Sequence, residues 1–183
     1  MEELKTTGIV VGAEDYKESD RLVRILTPDL GVVRAVMRGV KKEKAKLKFA
    51  STPFAFCEYE LIKRGAFYTV KTASSVESLF GVASTPERYV ASSVLLETAA
   101  EASGNGDAEL FVSLLTALKD LIYSGADAYG IAYRFVRGLL ASGGYSAEEC
   151  ADGVCAVPAA ELRRCVRLFE NKFICRIRSA ALL

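Results

Sequence analysis

The segment Arg38 to Lys48, read RGVKKEKAKLK, sets six basic side chains against one acid within eleven positions. Arg38, Lys41, Lys42, Lys44, Lys46 and Lys48 against Glu43 leave a local charge of +5, although the whole chain carries only +1. Such a segment attracts phosphates by releasing their condensed counterions, and it needs no base recognition to do so. Arg34, just upstream on an expected strand, is expected to join the same patch. The competing reading is a solvated loop without a ligand. Context favours the contact surface, because the run interrupts an otherwise strand-like and nearly neutral N-terminal half.

Composition removes most enzymatic readings. The chain contains no histidine, hence neither the commonest general base and metal ligand nor any Ser-His or Cys-His nucleophile pair. It has no GxxxxGK[ST] phosphate loop and no GxGxxG opening a helix after a strand, so nucleotide hydrolysis and dinucleotide binding lack support. Gly104 and Gly106 are read as a helix-ending turn. The acids Glu14, Asp15, Glu18 and Asp20 could suggest a divalent cation, but Lys17 and Arg21 among them favour a charged turn. At 183 residues, 51% of them hydrophobic, the chain can bury a real core. Neither a secretion signal nor a run of roughly 20 apolar residues is found, so no membrane association and a cytoplasmic location are expected.

Two periodicities divide the sequence. Thr7–Ala13, Arg21–Thr27, Val32–Met37, Pro53–Lys63 and Phe67–Ala73 read as five short strands, with Thr27-Pro28-Asp29-Leu30-Gly31 and Arg64-Gly65-Ala66 as turns. Within the fourth, Ala55, Cys57, Tyr59 and Leu61 share one side and Phe54, Phe56, Glu58, Glu60 and Ile62 the other. Five strands without an intervening helix favour a closed barrel, which protects strand edges, and the OB-fold is the leading candidate. Beyond Pro86 the apolar spacing becomes helical through Tyr89–Thr98, Leu110–Ile122 and Ile131–Leu140, with a last helix expected from about Pro158 to Ala180. The fold class is thus α+β: an N-terminal five-stranded OB-fold barrel in residues 1–80, followed by an all-helical domain in residues 81–183. A barrel with a basic loop suits single strands, with cations along the backbone and rings stacked on bases. Phe49, Tyr59, Phe67 and Tyr68 are the candidate rings, each also readable as packing mass.

The ordered set Tyr16-Lys17-Glu18-Ser19-Asp20-Arg21, Leu26-Thr27, Gly31, Arg38-Gly39-Val40-Lys41-Lys42, Pro53-Phe54 and Tyr68-Thr69-Val70-Lys71 resembles the bacterial RecO recombination mediator and DNA repair family. The likeness runs through the N-terminal half. It continues more weakly in Tyr89 to Glu97, Gly143-Gly144-Tyr145-Ser146 and the arginine-rich final helix. The resemblance implies an OB-fold joined to a helical domain that binds single- and double-stranded DNA, anneals complementary strands and assists recombinase loading without being an enzyme. It implies RecR and the tail of the single-stranded DNA-binding protein as partners; no cofactor is expected, because the sequence carries no cofactor-binding motif. On this sequence the DNA-binding positions become Arg34, Arg38, Lys41, Lys42, Lys44, Lys46 and Lys48. The alternative from another class is a module that binds an acidic protein partner through its barrel or helical groove, without direct DNA contact.

The chain departs from that family at the four-cysteine zinc loop many members carry. Here the spacing is C-x4-C-x9-C-x9-C over Cys150, Cys155, Cys165 and Cys175. On one continuous helix Cys165 and Cys175 would stand roughly 15 Å apart and on different faces, against zinc–sulfur bonds of about 2.3 Å. Thiols without a metal are therefore expected. Arg163, Arg164, Arg167, Lys172, Arg176 and Arg178 on that helix read either as an extension of the DNA surface or as a solvated face suited to a helix C-terminus.

Overall fold

A computed structural model describes residues 3–104, 106–145 and 159–183. The chain divides into two compact units, Met1–Phe80 with Ser103–Phe111, and Gly81–Ala102 with Val112–Leu183.

The first unit is a closed barrel of β1 (Glu3–Tyr16), β2 (Asp20–Thr27), β3 (Gly31–Met37), β4 (Ala55–Arg64) and β5 (Phe67–Ser78), in the order β1-β2-β3-β5-β4. Pairing is antiparallel except where β3 meets β5, at Ala35 opposite Tyr68 and Val36 opposite Thr69. Strand β1 closes the ring by serving two partners, β4 from Glu3 to Ile9 and β2 from Ile9 to Tyr16, with an irregularity between Val10 and Gly12. Such a bulge bends a strand and increases its twist. Gly8 lies at this crossing, where a Cβ would come within 2.4 Å of Ile25 Cγ2 and 3.0 Å of the Leu26 carbonyl.

Alternation fills the barrel. Val33, Ala35 and Met37 of β3 and Ala55, Cys57, Tyr59 and Leu61 of β4 point inward, with Val10, Val23, Ile25 and Val70. This is the side of β4 that the sequence assigns to Tyr59. Burying each such large aliphatic side chain contributes roughly 1.5–3 kcal/mol. Phe56, on the opposite side of β4, is also buried, its ring centroid 6.1 Å from that of Phe111. Strands β1 and β5 outrun their apolar pattern, because the backbone ladder continues through Tyr16 opposite Asp20 and Ser78 opposite Ala55 after hydrophobic alternation stops.

One turn depends on glycine. Gly31 has φ +63°, and a Cβ there would stand 1.9 Å from the Gly104 carbonyl oxygen. The Thr27 hydroxyl locks the turn by donating to the Gly31 carbonyl at 2.9 Å and accepting from the Leu30 amide at 3.2 Å. Gly31→Ala should therefore cost about 2–4 kcal/mol, combining left-handed strain with a clash against backbone. Gly65→Ala, at φ +62° but with open space around it, should cost roughly 1 kcal/mol. Urea unfolding of the two variants checks the order, and equal midpoints would contradict it.

The second unit holds α1 (Pro86–Ala102), most of α2 (Ala108–Tyr123), α3 (Ala128–Ser142) and α4 (Ala159–Phe173), ending in a 3-10 turn, Arg178–Leu182. Asp127 caps α3, its carboxylate accepting from the Gly130 amide at 2.6 Å, and α3 packs against α1 and α4. The helix expected to run to Ala180 stops at Phe173. Ile174 takes φ +52° and is 94% exposed. The chain then turns back, and carboxylates hold the returning segment: Glu170 accepts from Ile177 at 2.7 Å, and Glu97 of α1 accepts from Arg178 and Ser179.

Candidate nucleic-acid interface

The basic segment is a folded loop between β3 and β4. At its start, the Gly39 amide donates to Asp20 Oδ1 at 2.8 Å and the Lys41 amide to the Ser19 carbonyl at 3.0 Å, which docks the loop on the β1–β2 turn. Successive turns follow, closed by Ala45 on Lys42 and Lys48 on Ala45, and the loop ends in a 3-10 turn, Lys48–Ser51. Its apolar residues hold it to the barrel: Val40 and Ala50 are buried and Leu47 packs partly against the core. Two polar ties complete the anchorage. The Tyr59 hydroxyl donates to the Ala50 carbonyl at 3.1 Å and the Arg21 guanidinium to the Ser51 carbonyl at 3.2 Å. Arg38, Lys41, Lys42, Lys44, Lys46 and Lys48 are all exposed on this framework. A ligand held by them meets cations whose backbone is already ordered, which limits the entropy lost on binding.

Lys41 differs from the others. Its ammonium lies 2.8 Å from Asp15 Oδ2, and Asp15 Oδ1 is 3.7 Å from Arg21 Nε. The hydrogen bond from Lys41 holds the Asp15 carboxyl below the usual carboxylate range. Arg38, Lys42, Lys44, Lys46 and Lys48 have no carboxylate partner among the described residues. Elsewhere on the barrel, Lys5 pairs with Glu60 at 2.9 Å and Lys71 with Glu3 at 3.1 Å. Lys5 likewise holds the Glu60 carboxyl low. The loop thus carries five cations without a carboxylate partner among the described residues within eleven positions.

A polyanion must compete with Asp15 for Lys41. Asp15→Asn should tighten binding to a DNA strand several-fold and steepen its salt dependence slightly, since one cation is freed and one local anion removed. In the unsubstituted protein the same release should follow as pH falls below the ordinary Asp range through the depressed value, since protonation there breaks the pair. Fluorescence titration at two salt concentrations reads both effects, and unchanged affinity in Asp15→Asn would show that the pair does not restrain the loop.

Arg34 is exposed on the outward side of β3, directly opposite Arg24 of β2 in the ladder. Its guanidinium lies 5.1 Å from the centroid of Phe67, which is 37% exposed. Arg24 and Phe67 thus share a face with Arg34, a grouping that only the β2–β3 register and the parallel β3–β5 contact reveal. Of the candidate rings, Phe49 and Phe67 are exposed and Tyr68 is half-buried. Tyr59 is corrected: it is wholly buried and cannot stack on a base. Its place on β4 between Cys57 and Leu61 makes it core, and its hydroxyl supports the loop from beneath.

Cys165 is wholly buried on the face of α4 that also buries Leu162, Val166 and Phe169. That is a packing position, and it fits a metal ligand poorly. Cys175 lies past the helix end and is half-exposed, so one continuous helix is not what separates it from Cys165. Cys150 and Cys155 fall outside the described residues. Among the described residues no cluster of potential ligands forms, and no helix is long and apolar enough to cross a membrane.

Residues 1–79, a span ending one position after β5, match the family described as Recombination protein O N terminal. Curated relatives extend the likeness into the helical unit. DNA repair protein RecO of Clostridium novyi (strain NT) is 30% identical over 146 residues, 77% of this chain and 56% of that protein. The protein of the same name from Dehalococcoides mccartyi (strain CBDB1) is 29% identical over 154 residues, 82% of this chain and 60% of the relative. That of Streptomyces griseus subsp. griseus is 29% identical over 170 residues, covering 86% and 68% respectively. The chain thus spans little more than half the length of the Clostridium relative. With the barrel matched along its whole length and the relatives aligned beyond it, the chain is similar to the RecO family through the barrel and into the helical unit.

Proposed function

We propose that this chain acts in DNA repair and recombination as a non-enzymatic mediator that binds single- and double-stranded DNA through the β3–β4 loop. The observation that carries the proposal is a loop of exposed cations, pinned to a closed five-stranded barrel, with a single carboxylate among the described residues engaged on one of them. Arg34, Arg38, Lys41, Lys42, Lys44, Lys46 and Lys48 hold phosphates, and Phe49 and Phe67 are the rings exposed for bases. Phosphate contacts of this kind position a strand without reading its sequence. Neutralising two complementary strands on such a surface lowers their repulsion and raises their local concentration, which promotes annealing. Recombinase loading, with RecR and the tail of the single-stranded DNA-binding protein as partners, belongs to the same reading and rests on the family resemblance, while the names of the relatives support the DNA repair role.

Annealing by this route consumes no nucleotide. Complementary oligonucleotides mixed with the purified chain should anneal faster than alone, at a rate unchanged by ATP, and ATP should not be hydrolysed. No histidine base or phosphate loop is present to stabilise phosphoryl transfer. A nucleotide requirement that persisted through further purification would contradict the proposal.

A further inference from the structure

We infer that the helical unit carries a second binding site for a nucleic-acid phosphodiester backbone, a cavity walled by Arg163, Arg167, Arg176 and Arg178. The cavity measures about 850 Å³ and also includes Glu170, Ile177 and two alanines. Its existence depends on the break after Phe173. On an uninterrupted helix Arg163 and Arg176 would be separated by roughly 20 Å along the axis. Instead, Arg163 and Arg167 stand one turn apart on the same face of α4, while Arg176 and Arg178 lie on the segment that folds back.

The carboxylates nearby are occupied in holding that fold. Glu170 accepts from the Ile177 amide at 2.7 Å, and Glu97 accepts from the Arg178 and Ser179 amides. None of the four guanidiniums has a carboxylate partner among the described residues. Four cations and one engaged anion therefore face a common concavity. All four are arginines, whose planar forks bind phosphate oxygens in pairs and remain charged at any working pH. An acidic peptide would need an apolar or aromatic anchor pocket as well. Here the apolar lining is Ile177, only 2% exposed, and alanine. A strand, with phosphates repeating along it, fits the lining better.

The inference rests on the barrel loop binding DNA, and a two-site protein would hold one strand on each set of cations. The test is a titration of the full chain with a single-stranded oligonucleotide of about eight nucleotides, within the ~4–16 that one barrel covers. Two oligonucleotides should bind per chain. Lys42→Ala, Lys44→Ala and Lys46→Ala together should weaken one of them about 100-fold at 0.1 M salt. Arg167→Gln with Arg176→Gln should weaken the other about 25-fold at 0.1 M salt, the effect of two lost phosphate contacts, and slow annealing. Circular dichroism checks folding, and Arg163→Gln with Arg178→Gln provides an independent second variant.

One oligonucleotide per chain, weakened about 100-fold in the lysine variant and untouched by either arginine pair, would overturn the second site and leave the barrel reading intact. No binding to any variant or to the parent would remove both. Two further probes are added to the same assay: inorganic phosphate, and a glutamate decapeptide. Arginine-dependent binding of either that the oligonucleotide cannot displace would also overturn the inference, assigning the cavity to a free phosphate or to an acidic protein.

Discussion

At the barrel loop, single-stranded DNA should bind about 100-fold more weakly at 0.1 M salt once Lys42, Lys44 and Lys46 are replaced by alanine. Each phosphate contact on a single strand adds roughly 0.7 to the slope of log K against log salt. Three lost contacts therefore remove about 2 from it, and a tenfold dilution from 1 M salt converts that into two decades of affinity. The loss should be the same for oligonucleotides of different sequence. These three side chains are exposed, so the unfolding midpoint should hardly move. A folded variant with unchanged affinity would remove the loop from the mechanism.

The second large effect is on stability. Tyr59 is among the largest wholly buried side chains of the barrel, and its hydroxyl supports the basic loop through Ala50. Tyr59→Ala should cost about 3–5 kcal/mol, a large share of what a domain of this size possesses. Tyr59→Phe keeps the ring but leaves the Ala50 carbonyl without its donor, at a cost of about 1–3 kcal/mol. It should also weaken DNA binding, although the residue cannot touch DNA. Burial pushes the Tyr59 phenol well above its ordinary value of 10.0. The folded state therefore keeps a proton that the unfolded state loses, and this contribution to stability declines as pH rises above about 10. Tyr59→Phe should flatten that alkaline decline. Urea unfolding across pH measures both, and a Tyr59→Phe midpoint equal to that of the parent would show the hydrogen bond to be unimportant.

Composition and alternation made the barrel strands legible. The stripe Ala55, Cys57, Tyr59, Leu61 stands out in the sequence and is the interior side of β4. It also held the answer to Tyr59: a residue in an apolar stripe is core, whatever its aromatic ring suggests. The basic loop was legible because charge density needs no tertiary structure to be counted. Its latch was not, since Asp15 and Lys41 are 26 residues apart in sequence and meet only when the β1–β2 turn docks on the loop. Arg24 was missed for a similar reason, as its place beside Arg34 follows from a register between strands.

The end of the last helix shows the opposite failure. The sequence around Ile174 offers neither glycine nor proline to mark a stop. At the break Ile174 takes a left-handed conformation and the Cys175 amide donates to the Glu170 carbonyl, while the returning segment is held by the carboxylates of Glu170 and of Glu97, the latter 81 residues away from Arg178. Local propensity favoured continuation, yet the folded chain turns back. The arginine cavity is a consequence of that break, and no periodicity in the sequence announces it.

Phosphate binding by counterion release is tested most directly by one titration of the unsubstituted chain. A short single-stranded oligonucleotide is titrated at a series of salt concentrations and log K is plotted against log salt. About four phosphates neutralised on the barrel loop give a slope of roughly −3 for each of several unrelated sequences. A slope near zero, or no binding at low salt, would contradict the account and favour a protein partner for the loop.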